Sequence, residues 1–167
     1  MKQIQPNYSS ILAIDPSSRG FGFALLEGEK TLVEWGVKYV EENKNNNCLV
    51  RVRKLISDHQ PEVIALPDCS KEPQRCARIR ILVRRIAALA ARHNVKVVQL
   101  SREQVKQCFS PDGQITKYGI AEIIANRFHQ ELGHRLPPKR KLWKSEDSRM
   151  DIFDAVALGL VCAKVAV

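Results

Sequence analysis

Two carboxylates three residues apart, Asp151 and Asp154, stand in the segment RMDIFDAVALGLV, where nearly every other position is apolar. At helical spacing they share one face, and a helix this apolar is a buried one. A carboxylate in such surroundings costs several kcal/mol unless it is paired or bound to a cation. Asp154 therefore calls for a partner, which a divalent metal would supply. The structural alternative is that Asp151 complements the helix dipole while Asp154 is a hydrogen-bonded internal acid. A second candidate, Asp15, closes the apolar run Ile11 to Ile14 just before Pro16, Ser17, Ser18 and Gly20. A strand end of this kind holds a side chain rigidly yet lets it reach solvent. Alone, Asp15 could equally cap its own turn. Together with an acid near the end of the run Val63 to Leu66, where Asp68 stands, these residues form a set of oxygen ligands suited to two hard divalent cations.

The cations of the chain fit a polyanionic ligand. There are 27 Lys and Arg against 18 Asp and Glu, a formal charge of +9, which biases the whole molecule toward nucleic acid. Arg78, Arg85 and Arg92 repeat at seven along one predicted helix, with Arg75 just before it. A second cluster, including Lys139, Arg140 and Lys141, flanks Trp143 and runs into the acidic segment. Either could be a plain solvated face; beside an acidic metal site, both suit the backbone of a phosphodiester. Such contacts position the backbone without reading bases, so strong salt dependence is expected, and sequence preference does not follow from them. The five cysteines form no C-x-x-C pair and the four histidines no trusted ligand spacing, so reduced thiols and no zinc site are expected. The start MKQIQPNYSS has no apolar leader and the apolar C-terminal stretch is too short to span a bilayer, which predicts a cytoplasmic protein without a membrane partner.

The elements that must position these residues follow from periodicity. Ile11 to Ile14, Phe21 to Leu26 and Thr31 to Val40 read as three antiparallel strands, and Glu41 to Asn47 as a polar loop. Leu49, Val52, Leu55 and Ile56 have helical spacing up to Pro61, and Val63 to Leu66 is a short buried strand. A long helix from about Pro73 to His93 leads to the strand Val95 to Leu100. Ser101 and Gln104 form a capping-box pattern for a helix to Phe109; Tyr118 to Leu132 is another helix, and the last begins near Ser145 or Ser148. The order βββαβαβ predicts an α/β fold over residues 1–167 as one domain: a mixed five-stranded sheet, three strands antiparallel and two parallel, flanked by helices.

Two of these segments carry a family pattern. ILAIDPSSRGFGFALLE resembles the opening of RuvC-like Holliday junction resolvases, of the ribonuclease H-like superfamily, and MDIFDAVALGL is similar to their closing D-x-x-D-A-x-A-L helix. The resemblance spans nearly the whole chain. It implies metal ligation by Asp15, Asp151 and Asp154, and two Mg2+ ions per site, with Mn2+ able to substitute. The segment SREQVKQCFSPDGQITKYGIAEII looks like the family stretch whose lysines contact DNA phosphates, which implies that role for Lys106 and Lys117. A homodimer acting on four-way DNA junctions in recombination and repair is likewise implied. The chain departs from the family after the fourth strand, where a glutamate is usual and VIALPDCS puts Pro67 in register with Asp68 one residue later. A bend at Pro67 would let Asp68 serve as the fourth catalytic ligand. No aromatic follows to stack at a junction.

Three other readings are compatible with the residues. The chain could be a binding module that lost its second acid. It could be a related nuclease acting on other branched DNA or on structured RNA. A phosphotransferase of the sugar kinase and actin superfamily would need a second domain and a second glycine-rich phosphate loop, neither of which is present.

Overall fold

The computed structural model describes residues 8–72 and 75–165. Strand β1 (Ile11–Ser17) pairs antiparallel with β2 (Gly20–Glu27), which pairs antiparallel with β3 (Thr31–Tyr39). Helix α1 (Lys44–His59) crosses over to β4 (Val63–Pro67), parallel to β1, and α2 (Ala77–Arg92) crosses to β5 (Lys96–Leu100), parallel to β4. The sheet order is therefore β3-β2-β1-β4-β5, the mixed sheet that the apolar patterning predicts. Helices α3 (Arg102–Phe109), α4 (Lys117–Arg127), α5 (His129–Leu132) and α6 (Met150–Lys164) complete the chain, with a 3-10 turn at Gly133–Arg135. Among the described residues no helix is long and apolar enough to cross a membrane.

Strand alternation sorts the core into two halves. Ile11 and Ala13 of β1, Ala24 and Leu26 of β2, and Val63 and Ala65 of β4 pack toward α4 and α6. Their neighbours Leu12, Ile14, Phe23, Leu25, Ile64 and Leu66 pack toward α1 and α2. Side chains two apart share a face, so Asp15 and Pro67 continue the α6 face.

Several boundaries differ from the sequence expectation, each for a physical reason. The stretch predicted as a polar loop, Glu41 to Asn47, is already helical from Lys44. Asn45 and Asn46 are held there by Arg78 and Arg85 of α2, which donate to their side-chain oxygens at 3.1 and 2.9 Å. That tertiary contact overrides a weak helix propensity. Helix α2 begins at Ala77; the expected start at Pro73 lies outside the described residues. The helix predicted over Tyr118 to Leu132 breaks at Phe128, whose φ of −110° and ψ of 53° are not helical. The capping box at the start of α3 is present, with Ser101 Oγ accepting from Gln104 N–H at 3.2 Å and Ser101 N–H donating to Gln104 Oε1 at 2.8 Å.

Candidate active site

Helix α6 lies against the β1–β2 hairpin closely enough to bring its first turn beside the end of β1. Gly22 makes this possible: it pairs with Asp15 across the hairpin, and a Cβ there would overlap the Asp151 backbone carbonyl. Gly159, two turns on, would likewise collide with Leu26. The missing side chains let helix and sheet approach, and Asp15, Asp151 and Asp154 consequently line one cavity of about 300 Å³.

Burial pushes all three carboxyls up from their ordinary values. Asp15 rises to about 6, with the opposing pull of Arg75 and Lys117 only partly offsetting its desolvation. Asp154 rises to about 7, first from burial and then from the negative charge of Asp15. Asp151 is raised by burial as well. Its side chain is only 4% exposed, and while Oδ1 faces Arg19 at 3.7 Å, Oδ2 is buried without a hydrogen-bond partner among the described residues. A buried, unpartnered carboxylate oxygen is an expensive group to leave bare. Hard oxygen donors of this kind fit a divalent cation.

Cations surround the acids. Lys117, the first residue of α4, is fixed by the cap that Thr116 Oγ1 makes with Gly119 N–H at 3.0 Å. Its Nζ lies 2.9 Å from Asp154 Oδ2 and 2.6 Å from Glu146 Oε1. Desolvation works against the ammonium, but Asp154 and Glu146 outweigh it and hold it protonated. Arg75 reaches Asp15 at 3.6 Å while donating to Glu72 at 2.8 Å. Lys106 lines the same cavity.

Not every predicted residue comes here. Asp68 is not brought to the cluster. Pro67 stays in the ladder, paired with Leu100, and makes no bend, so the one-residue offset turns Asp68 to the opposite face, in a hollow beside Arg80 and Arg84 of α2. There its Oδ1 accepts from Ser70 N–H at 3.0 Å, and this local hydrogen bonding lowers its pKa. Arg78 and Arg85 lie against α1; Arg78 also donates to Ser17 O at 3.0 Å and so braces the turn after Asp15. Lys139, Arg140 and Lys141 are exposed on the loop leading toward α6, near Leu142 and Trp143, which are 97% and 78% exposed.

Three participants were not foreseen from sequence: Arg19, Glu72 and Glu146. Arg19 belongs to the quoted segment IDPSSR, where an arginine after a strand-end acid was a usable signal. Glu146 stands in KSEDSRMD, a second acid group just ahead of the acidic helix. One ligand oxygen each from Glu146, Asp151 and Asp154 lies within 4.8 Å of the others.

No protein-family model and no curated protein sequence matches the chain. Solved structures do. Thermus thermophilus RuvC superposes with a TM-score of 0.67 at 16% identity, over 91% of this chain and 92% of that one. The same protein in complex with a Holliday junction substrate gives 0.67 at 16%, over 92% of each. The fowlpox virus resolvase, in complex with its substrate Holliday junction DNA, gives 0.53 at 17%, over 92% of this chain and 98% of that one. The strand order, the two crossovers and these superpositions together give this chain the ribonuclease H-like fold of RuvC and the poxvirus resolvase.

Proposed function

We propose that the protein is a metal-dependent endonuclease that hydrolyses phosphodiesters in branched DNA, four-way junctions foremost, in recombination and repair. The observation that carries this is the convergence of Asp15, Asp151 and Asp154 on one cavity, where Asp151 keeps one buried carboxylate oxygen without a hydrogen-bond partner among the described residues. Mg2+ is the expected metal, two ions per site, with Mn2+ substituting. When bound, such ions activate water and neutralise charge on the leaving 3′ oxygen. The three aspartates hold them through oxygen. Arg19 and Arg75 orient Asp151 and Asp15. Lys106 and Lys117 at the cavity wall offset charge on the phosphate. Lys139, Arg140 and Lys141 add exposed positive charge on the loop leading into α6 and would track the backbone rather than bases. The proteins whose fold it shares were solved with Holliday junctions, which supports a branched substrate. Residues 1–167 act as one domain, and two copies, each cutting one strand, suit the symmetry of a four-way junction.

Mg2+-dependent cleavage of a synthetic four-way junction, with fork, duplex and structured RNA as competitors, tests this. Cleavage should be lost in Asp15→Asn. A second reading is favoured by one observation, the Pro67 side chain at the cavity wall with Asp68 turned away: a module that binds junctions without cutting. Metal-independent binding with no cleavage, unaltered by Asp15→Asn, would establish it.

A further inference from the structure

The cavity contains an acid that the closing helix does not supply. We propose that Glu146 is a direct ligand of the divalent cation and that the Lys117 ammonium keeps that place until the cation displaces it. The inference rests on the metal-dependent reading above and assigns what that reading leaves open, the ligand beyond the three aspartates.

Separation is the first ground. Two ligand oxygens on opposite sides of one ion stand about 4.2 Å apart for Mg2+ and about 5 Å apart for Ca2+, twice the respective bond length. Glu146, Asp151 and Asp154 each offer an oxygen within 4.8 Å of the other two, so one ion meets all three with little movement. A second, independent ground is Asp151 Oδ2, buried and without a partner among the described residues on a side chain only 4% exposed. An ion pair between Lys117 and its two acids leaves this oxygen unserved; an ion among the three carboxylates would bring positive charge to the Asp151 carboxylate.

The third ground is what lies between the carboxylates. Lys117 Nζ bridges Glu146 Oε1 at 2.6 Å and Asp154 Oδ2 at 2.9 Å, a single positive charge where two acids already face each other. A divalent ion brings twice the charge at shorter range and wins the exchange. The released ammonium then faces the cavity free of its acid partners, where a phosphate would meet it. Metal binding and phosphate binding thereby favour each other, and the coupling is reciprocal.

Glu146 is also held in place, though it lies outside any regular element. The next residue, Asp147, accepts from Arg149 N–H, Nε and Nη2 at 2.9, 3.0 and 2.8 Å. Asp147 O and Ser148 O then accept the amides of Met150 and Asp151, winding the turn directly into α6. Ser148 Oγ shares a 2.8 Å hydrogen bond with Tyr39 OH at the end of β3. Such bracing is what a ligand on a loop requires.

Mn2+ alone, titrated calorimetrically into the metal-free full-length chain, tests the assignment, with thermal melts confirming that each variant is folded. Glu146→Gln should weaken Mn2+ binding by at least about tenfold, the lower end of what even outer-sphere partners contribute. Lys117→Met should tighten it, and Asp68→Asn should leave it unchanged. If Glu146→Gln binds Mn2+ like the parent while Asp151→Asn does not, the assignment of Glu146 is overturned and the metal-dependent reading stands. If Asp151→Asn also binds like the parent, that reading falls. Unchanged or weakened binding in Lys117→Met overturns the displacement, and a loss in Asp68→Asn equal to that of Glu146→Gln overturns the choice of ligand. Should Glu146→Gln melt early, Glu146→Asp decides: affinity recovered with the carboxylate supports ligation, while affinity that follows melting temperature overturns it.

Discussion

Two strand ends of the same sheet carry an aspartate, and they treat it in opposite ways. Near the end of β1, Asp15 is buried, faces the Arg75 guanidinium at 3.6 Å, and is raised to about 6. One residue past β4, Asp68 is partly solvated, satisfied by its own turn, and lowered. The first is costly to the fold unless something else binds it; the second costs nothing. An acid that destabilises its own surroundings marks a place built for a ligand, whereas an acid content with its neighbours marks a turn. By this measure the β1 and α6 side of the sheet is the side the proposed function would use, and the α2 side would be scaffold.

The sharpest way to break that contrast is to remove the burdened charge. Asp151→Asn should lower Mg2+-dependent junction cleavage by about a thousandfold, the scale of several kcal/mol of lost charge stabilisation. Thermal melting of the metal-free variant should rise at the same time, because the amide carries no charge to desolvate. A variant that cleaves normally, or melts lower, would count against the reading.

The contrast also has a pH signature. Asp15 and Asp154 hold protons in the folded state up to about pH 6 and 7, while in the unfolded chain they release them near 3.8. The stability of the protonated form is fully present below 3.8 and is lost as pH rises through the folded values. Metal-free protein should therefore melt progressively lower between pH 3.8 and about 7, and saturating Mg2+ should flatten or reverse the slope. Asp147, held down to about 2 by its hydrogen bonds from Arg149, acts in the opposite sense, losing stability only as pH falls toward that value. Melts recorded across this range with and without Mg2+ separate the two contributions; a metal-free curve that is flat from 3.8 to 7 would remove the physical basis for the distinction.

Smaller effects sharpen it. Gly22→Ala should cost about 1–3 kcal/mol in urea denaturation, the usual cost of overpacking, because α6 must back away from β2; cleavage should fall further than stability alone explains. Asp68→Asn should change neither junction cleavage nor melting beyond about 0.5 kcal/mol, the range for a surface substitution away from special features.

Much of this was legible in the sequence, for identifiable reasons. Asp15, Asp151 and Asp154 sit in runs whose apolar periodicity fixes which way each side chain points, and the sheet order follows from the same runs. Asp68 lies one residue outside such a run, and its direction turns on whether Pro67 bends the strand, which its pairing with Leu100 decides. Glu146 lies in a stretch without periodicity, and the turn that carries it is tied through Ser148 to Tyr39, a residue far away in sequence, by a contact no local pattern encodes. The Asn-rich start of α1 was hidden for the same reason: its helical state depends on two arginines more than thirty residues away.

Those two arginines alter how the charge of the molecule should be counted. Arg78 and Arg85 contribute to the formal +9, yet their guanidinium groups are engaged by asparagine side chains and a backbone carbonyl. A guanidinium so engaged keeps its field and loses its reach. Toward a polyanion it would still speed the encounter but offer fewer free N–H groups to prolong residence, whereas the exposed lysines before α6 would be free to do both. Association and dissociation rates would thus respond to different subsets of the same positive charge.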